Sequence, residues 1–145
     1  MKTQLEILLV EDNPQDAELA IRALKKHMPV SHLLHVSDGQ EALDFLFNHT
    51  SDDAPKPPKV VLLDLKLPKV GGLEVLREIR ANEHTKLLPV VVLTSSREDS
   101  DVAEAYRLGV NSFIVKPVDF ENFLEVVSNM GSYWINLNQA PLLKL

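Results

Sequence analysis

The stretch Lys59–Gly72, KVVLLDLKLPKVGG, decides the fold. Val60, Val61, Leu62, Leu63 and Leu65 surround one carboxylate, Asp64. An apolar run of this length, rich in β-branched residues and leucine, reads as a strand buried on both faces. Pro68 lacks an N–H donor, so regular pairing cannot continue past Leu67. Gly71 and Gly72 then open a turn into a helical pattern. Asp64 thus sits at the carboxyl end of a buried strand, where open parallel α/β sheets bind ligands. Taken alone, the same Asp reads equally well as the cap of a turn.

Four further strands can be read around this one. Leu5 to Val10 is a short apolar run bounded by acids, followed by Glu11-Asp12-Asn13-Pro14. Asn13 suits an N-cap and Pro14 the first helical position. Ala17, Ala20, Ile21 and Leu24 repeat at helical spacing, and that helix should stop before Pro29. His32 to Val36 reads as a strand. Ser37 and Asp38 are two candidate N-caps for a helix carrying Ala42, Leu43 and Leu46 on its apolar face. Asn48 to Lys59 is polar and proline-rich, an exposed loop. Leu73, Leu76 and Ile79 mark a helix that fades near Asn82. Leu88 to Leu93 is a fourth strand ending at Thr94-Ser95-Ser96. Val102, Ala105 and Tyr106 mark a helix with Gly109 as its C′ residue. Ser112 to Val115 is a fifth strand ending at Lys116-Pro117, and a last helix should run from Asp119 to Leu137. Strand and helix alternating five times predict one parallel sheet with helices on both faces.

Composition narrows the function. The chain has 145 residues, net charge −6 and no cysteine. That balance disfavours a nucleic-acid surface, which needs clustered Lys and Arg. Without cysteine there is no thiolate metal site or Cys nucleophile. The amino terminus does not read as a signal peptide, and no apolar run approaches the ~18 residues of a membrane span. A cytoplasmic protein is the expectation. The His residues show no metal-ligand spacing.

The residues following the strands' last apolar positions form a constellation. They are Glu11 and Asp12, then Asp64, then Thr94, then Lys116. If the first and third strands are neighbours, three carboxylates converge in one cleft. Like charges that close raise a pKa, and a hard divalent cation relieves them. Mg²⁺ takes oxygen ligands in octahedral geometry. A hydroxyl and an ammonium opposite would fit phosphoryl oxygens. The parts describe a phosphoryl-transfer site with an Asp carboxylate as acceptor. Singly, each has a plainer reading: Lys116 as a solvated lysine, and Glu11 and Asp12 as acids favouring a helix amino terminus.

With these residues in view, the chain resembles the receiver domain of bacterial two-component response regulators. The resemblance rests on Leu9-Val10-Glu11-Asp12-Asn13, Leu63-Asp64-Leu65 with Leu67-Pro68 and Gly71-Gly72, Leu93-Thr94-Ser95, and Phe113-Ile114-Val115-Lys116-Pro117. It covers about Leu5 to Met130. The proline-rich loop and Tyr133-Trp134-Ile135-Asn136-Leu137-Asn138-Gln139 resemble stand-alone regulators of bacterial phytochrome histidine kinases. The resemblance implies a flavodoxin-like α/β fold, strand order 2-1-3-4-5 with five helices. It implies Asp64 as phospho-acceptor, and Mg²⁺ bound by Glu11, Asp12, Asp64 and the main-chain carbonyl of Lys66. Thr94 and Lys116 would contact the phosphoryl group, and Thr94 and Phe113 would form the switch. The Lys116-Pro117 bond would be cis. Phe113 stands where many receivers have a Tyr, so the ring has no hydroxyl to bond.

A sensor histidine kinase is the implied phosphodonor, with output through protein contacts or onward transfer to a His domain. The protein would be a phospho-acceptor with self-catalysed transfer and slow dephosphorylation, not an enzyme acting on another substrate. A flavodoxin is excluded because Glu11-Asp12-Asn13-Pro14 would repel a flavin phosphate. A haloacid-dehalogenase-type hydrolase would want two Asp flanking one residue after the first strand, and only one is in place. A receiver fold with its switch disabled is a minor alternative, since all five site residues are present. Lys66 and Ser96, each two residues beyond a site residue, are expected to face an attacking water. The chain as a whole reads as one receiver domain with a carboxyl-terminal helix extension and short tail.

A last helix of Asp119–Leu137 would be roughly 28 Å long, against about 17–20 Å for a strand of five or six residues. The overhang carries Tyr133, Trp134, Ile135 and Leu137, with Pro141, Leu142, Leu143 and Leu145 beyond. Phe120, Val127 and Trp134 recur every seven residues, as do Phe123, Met130 and Leu137. A homodimer through Tyr133, Trp134 and Leu137 is the expectation.

Overall fold

The computed structural model describes residues 5–49, 54–143 and 145. Residues 50–53 of the proline-rich loop thus lie outside the described chain. The order is β1 (Ile7–Val10), α1 (Pro14–Leu24), β2 (Leu33–Val36), α2 (Gly39–Phe47), β3 (Val60–Leu63), α3 (Gly72–Ala81), β4 (Val90–Thr94), α4 (Asp99–Arg107), β5 (Ser112–Val115) and α5 (Phe120–Gly131). The five strands form one parallel sheet in the order β2-β1-β3-β4-β5. This is the expected flavodoxin-like arrangement.

β1, β3 and β4 are buried along their whole length, as their unbroken apolar runs require. Helices sandwich them. Leu8, Val10, Val61, Leu63, Val90 and Val92 face α2, α3 and α4, while Ile7, Leu9, Val60, Leu62, Val91 and Leu93 face α1 and α5. The edge strands β2 and β5 are only partly buried.

Local signals account for most boundaries. Asn13 Oδ1 accepts from Asp16 N at 3.0 Å and Pro14 is the first residue of α1. Of the two candidate caps for α2, Asp38 serves, accepting from Glu41 N at 2.8 Å. Gly109, with φ +93°, follows α4 as expected. The second strand is shorter than expected because Val30–His32 forms a 3-10 turn after Pro29.

Two expectations are corrected. The α-helical hydrogen-bond pattern ends at Gly131, and Ser132–Leu137 continues as a wider π-helical turn. The widening turns Ile135 into the core, where it is buried, and packs Trp134 partly against it. The tail then turns back, bringing Leu143 and Leu145 against the opposite core face. The overhang is thereby partly absorbed by the chain's own core. Second, Lys116-Pro117 is trans, since there are no cis bonds among the described residues. Lys116 N still donates to Thr94 O at 2.8 Å and its side chain still reaches the acids. Nothing here demands the isomer that costs about 0.5–1 kcal/mol more. No described helix is long and apolar enough to cross a membrane.

Candidate functional site

Parallel register brings the site together. Val10 is level with Leu63 across β1 and β3, so Glu11 and Asp64 leave adjacent strands side by side. Asp64 N donates to Val10 O, and Glu11 N to Val36 O, each at 3.1 Å. Thr94 is level with Val115, so Lys116 is the next residue off the sheet. All five expected residues, Glu11, Asp12, Asp64, Thr94 and Lys116, therefore meet at one sheet end.

Of the two glycines in the turn after Asp64, Gly72 is the one its packing requires. A Cβ on Gly72 would lie 2.2 Å from Asp64 O and 2.6 Å from Leu65 Cα. The start of α3 thus packs directly on the Asp64 backbone. Gly71 has room for a side chain. The left-handed position in this turn belongs instead to Lys69, at φ +67°.

Lys116 dominates the electrostatics. Its Nζ donates to Glu11 Oε1 at 2.7 Å, Asp64 Oδ2 at 2.8 Å and Asp16 Oδ2 at 2.9 Å. Burial alone would push its pKa down, but bonds to Asp64, Glu11 and Asp16 outweigh that and raise it. Burial likewise raises Asp64, yet hydrogen bonds from Lys116 and Thr94 bring its carboxyl below the ordinary value. Lys66 N adds a weaker bond to Asp64 Oδ1 at 3.3 Å. Glu11 goes the other way. Burial, reinforced by the Asp64 charge, lifts it from 4.5 to about 7 despite the Lys116 bond. Glu11 Oε2 also accepts from Asn13 N at 3.1 Å.

One oxygen from each of Glu11, Asp12 and Asp64 lies within 4.8 Å of the others. An all-oxygen carboxylate set suits a hard divalent cation such as Mg²⁺, Mn²⁺ or Ca²⁺. Burial first, and the Asp64 charge second, raise the Glu11 carboxyl, and a bound cation would favour its ionised form.

Asp16 was not among the residues singled out from the sequence. No spacing along the chain marks it, since its side chain meets Lys116, 100 positions away. Ser96 is buried and its Oγ donates to Asp101 Oδ2 at 2.5 Å, in the first turn of α4. It points to that helix rather than to open solvent, whereas Lys66 is exposed. Phe113 is partly buried against the α2–α3–α4 face. Tyr133, Trp134 and Leu137 lie at the other end of the molecule, beside Ile135, whose carbonyl accepts from Lys59 Nζ at 3.5 Å just before β3.

Known proteins agree with this geometry. The response regulator receiver domain family matches residues 7–128. The chain is 42% identical to the probable methanogenesis regulatory protein FilR2 of Methanothrix harundinacea, over 93% of this chain and 86% of that protein. It is 37% identical to the response regulator Rcp1 of Synechocystis, over 93% and 92%, and the Mn²⁺-bound form of Rcp1 superposes with a TM-score of 0.86, covering 94% and 99%. The phosphorylated cyanobacterial phytochrome response regulator RcpA is 35% identical with a TM-score of 0.87, covering 96% of this chain and 99% of that one. The bacteriophytochrome response regulator AtBRR is 48% identical with a TM-score of 0.69, covering 94% and 99%. With the match spanning the sheet, four of its helices and most of α5, the chain belongs to the response regulator receiver domain family.

Proposed function

We propose that Asp64 accepts a phosphoryl group from a sensor histidine kinase and that the adduct signals through protein contacts. The observation that carries this reading is the buried Lys116 ammonium, 2.8 Å from one oxygen of a carboxylate that remains ionised. In the transfer, an Asp64 oxygen forms a bond to phosphorus as the P–N bond of the kinase's phosphohistidine breaks, and the imidazole nitrogen departs with that electron pair. Lys116 and the Thr94 hydroxyl are placed to meet the charge spread over the transferring oxygens. Glu11, Asp12 and Asp64, with the main-chain carbonyl of Lys66, would hold Mg²⁺, which when bound supplies charge neutralisation at the same oxygens. Transfer and slow hydrolysis of the adduct are properties of this one site.

Similarity to Rcp1, RcpA and AtBRR supports a phytochrome-class kinase as the donor, and onward transfer to a His domain or a target protein as output. A cytoplasmic location and a single receiver domain over residues 1–145 belong to the same reading. So does a homodimer through the carboxyl-terminal end, because Tyr133 and Leu137 stay 49% and 73% exposed there. Thr94 and Phe113 serve as the switch pair, with the ring's burial rather than a hydroxyl bond as the changing quantity.

The test is incubation with acetyl phosphate and Mg²⁺ followed by intact mass measurement. One base-labile phosphoryl adduct is expected, absent without metal and absent in Asp64→Asn. The same adduct in Asp64→Asn would remove the assignment.

A further inference from the structure

The Lys116 ammonium has three N–H donors and three carboxylate acceptors, and the acceptors have different fates. Asp64 is the group that becomes phosphorylated, and Glu11 is a proposed metal ligand. Asp16 is neither. It belongs to the first turn of α1, across the sheet end from β5, and its contact with Lys116 spans 100 positions of sequence. Its backbone is held independently, since Asp16 N donates to the Asn13 side chain. It is part-exposed, while Lys116 is 9% exposed. Of the three Lys116 contacts, the one to Asp16 is the one that involves neither the proposed acceptor nor a proposed metal ligand.

We propose that Asp16 is a positioning residue for phosphoryl transfer. It anchors the Lys116 ammonium while Glu11 turns to the metal and Asp64 to phosphorus, and leaves two N–H donors directed at the transferring oxygens. The inference rests on Asp64 being the acceptor. The plainer role for Asp16 is a carboxylate near the positive end of α1, a favourable placement for any acid. A charge anywhere in that turn would satisfy the plainer role. Among the described residues of that turn, Asp16 is the one paired with Lys116.

The experiment separates the two. Phosphorylation by acetyl phosphate at saturating Mg²⁺ is followed in the wild type, Asp16→Asn, Asp16→Glu and the double variant Gln15→Asp, Asp16→Asn. The double variant keeps an acid in the first turn but moves it about 100° around the helix. Asp16→Asn and the double variant should both lose about tenfold or more in maximal rate, with the half-saturating donor concentration unchanged. Asp16→Glu should recover most of the rate. A second readout needs no reaction. With ¹⁵N-labelled lysine, the Lys116 ammonium signal, assigned by its loss in Lys116→Met, should survive added Mg²⁺ in the wild type and vanish with it in Asp16→Asn. A wild-type rate in Asp16→Asn, or recovery in the double variant, overturns the inference while leaving Asp64 as acceptor. Failure of the wild type to form the adduct overturns both.

Discussion

Magnesium affinity should depend on pH because of Glu11. Burial and the neighbouring Asp64 charge hold the Glu11 carboxyl at about 7, against an ordinary 4.5. A metal must displace that proton. For a group titrating near 7, the apparent dissociation constant rises by a factor of about 1.1 at pH 8, about 2 at pH 7 and about 11 at pH 6. Affinity should therefore fall about tenfold from about pH 8 to about pH 6, where an ordinary Glu would change it by only a few per cent. Titration calorimetry in buffers of different ionisation enthalpy measures both quantities, and about half a proton should be released per metal bound near pH 7. The metal-free protein should show the linked effect on folding. A raised carboxyl means the folded state holds the proton more tightly than the unfolded chain. Glu11's stabilising contribution is thus complete below about 4.5 and lost as pH rises through about 7. Asp64, lowered, works oppositely, its contribution being lost as pH falls below its ordinary value of 3.8. Mg²⁺ should abolish the loss near pH 7. A constant affinity between pH 8 and 6 with no proton release would refute the burial argument for Glu11.

Other expectations follow from individual contacts. Gly72→Ala, whose methyl would meet Asp64 O, should cost about 1–3 kcal/mol in urea unfolding and slow phosphorylation, whereas Gly71→Ala should stay within about 1 kcal/mol. Lys116→Met should tighten Mg²⁺ binding about tenfold by removing a competing cation while lowering the phosphorylation rate at least a hundredfold; calorimetry and the mass assay read the two. Lys66→Ala should change adduct lifetime through the water path, and Ser96→Ala through loss of the Asp101 bond; unchanged decay of the adduct in both would sink that idea. Sedimentation velocity at roughly 10–100 μM should show a dimer that Tyr133→Ala, Leu137→Ala disrupts, since about 1,000 Å² or more of good contact is needed to hold one.

Much of this protein is legible in its chain because the signals are local. The runs around Ile7–Val10, Val60–Leu63 and Val90–Thr94 carry no alternation, and only a sheet covered on both faces buries every residue of such strands. Parallel strands make their carboxyl ends coincide, so the residues after each run, Glu11, Asp12, Asp64, Thr94 and Lys116, had to gather once the order was right. The turn chemistry at Asn13-Pro14, Asp38 and Gly109 works within a few residues and reads directly.

Tertiary structure alone decided what depends on distance between elements. It put Asp16 on Lys116, a contact set by how α1 lies across the sheet end and visible in no spacing along the chain. It gave the close approach to Gly72 rather than Gly71, because only one of the two Cβ positions points into the Asp64 backbone. It assigned opposite pKa directions to Glu11 and Asp64, which share burial but not hydrogen-bond partners. It also bent the end of the last helix inward at Ile135 and folded Leu143 and Leu145 back onto the core. A heptad count cannot foresee that turn, because apolar residues at the end of a helix bury against whichever surface the chain can reach.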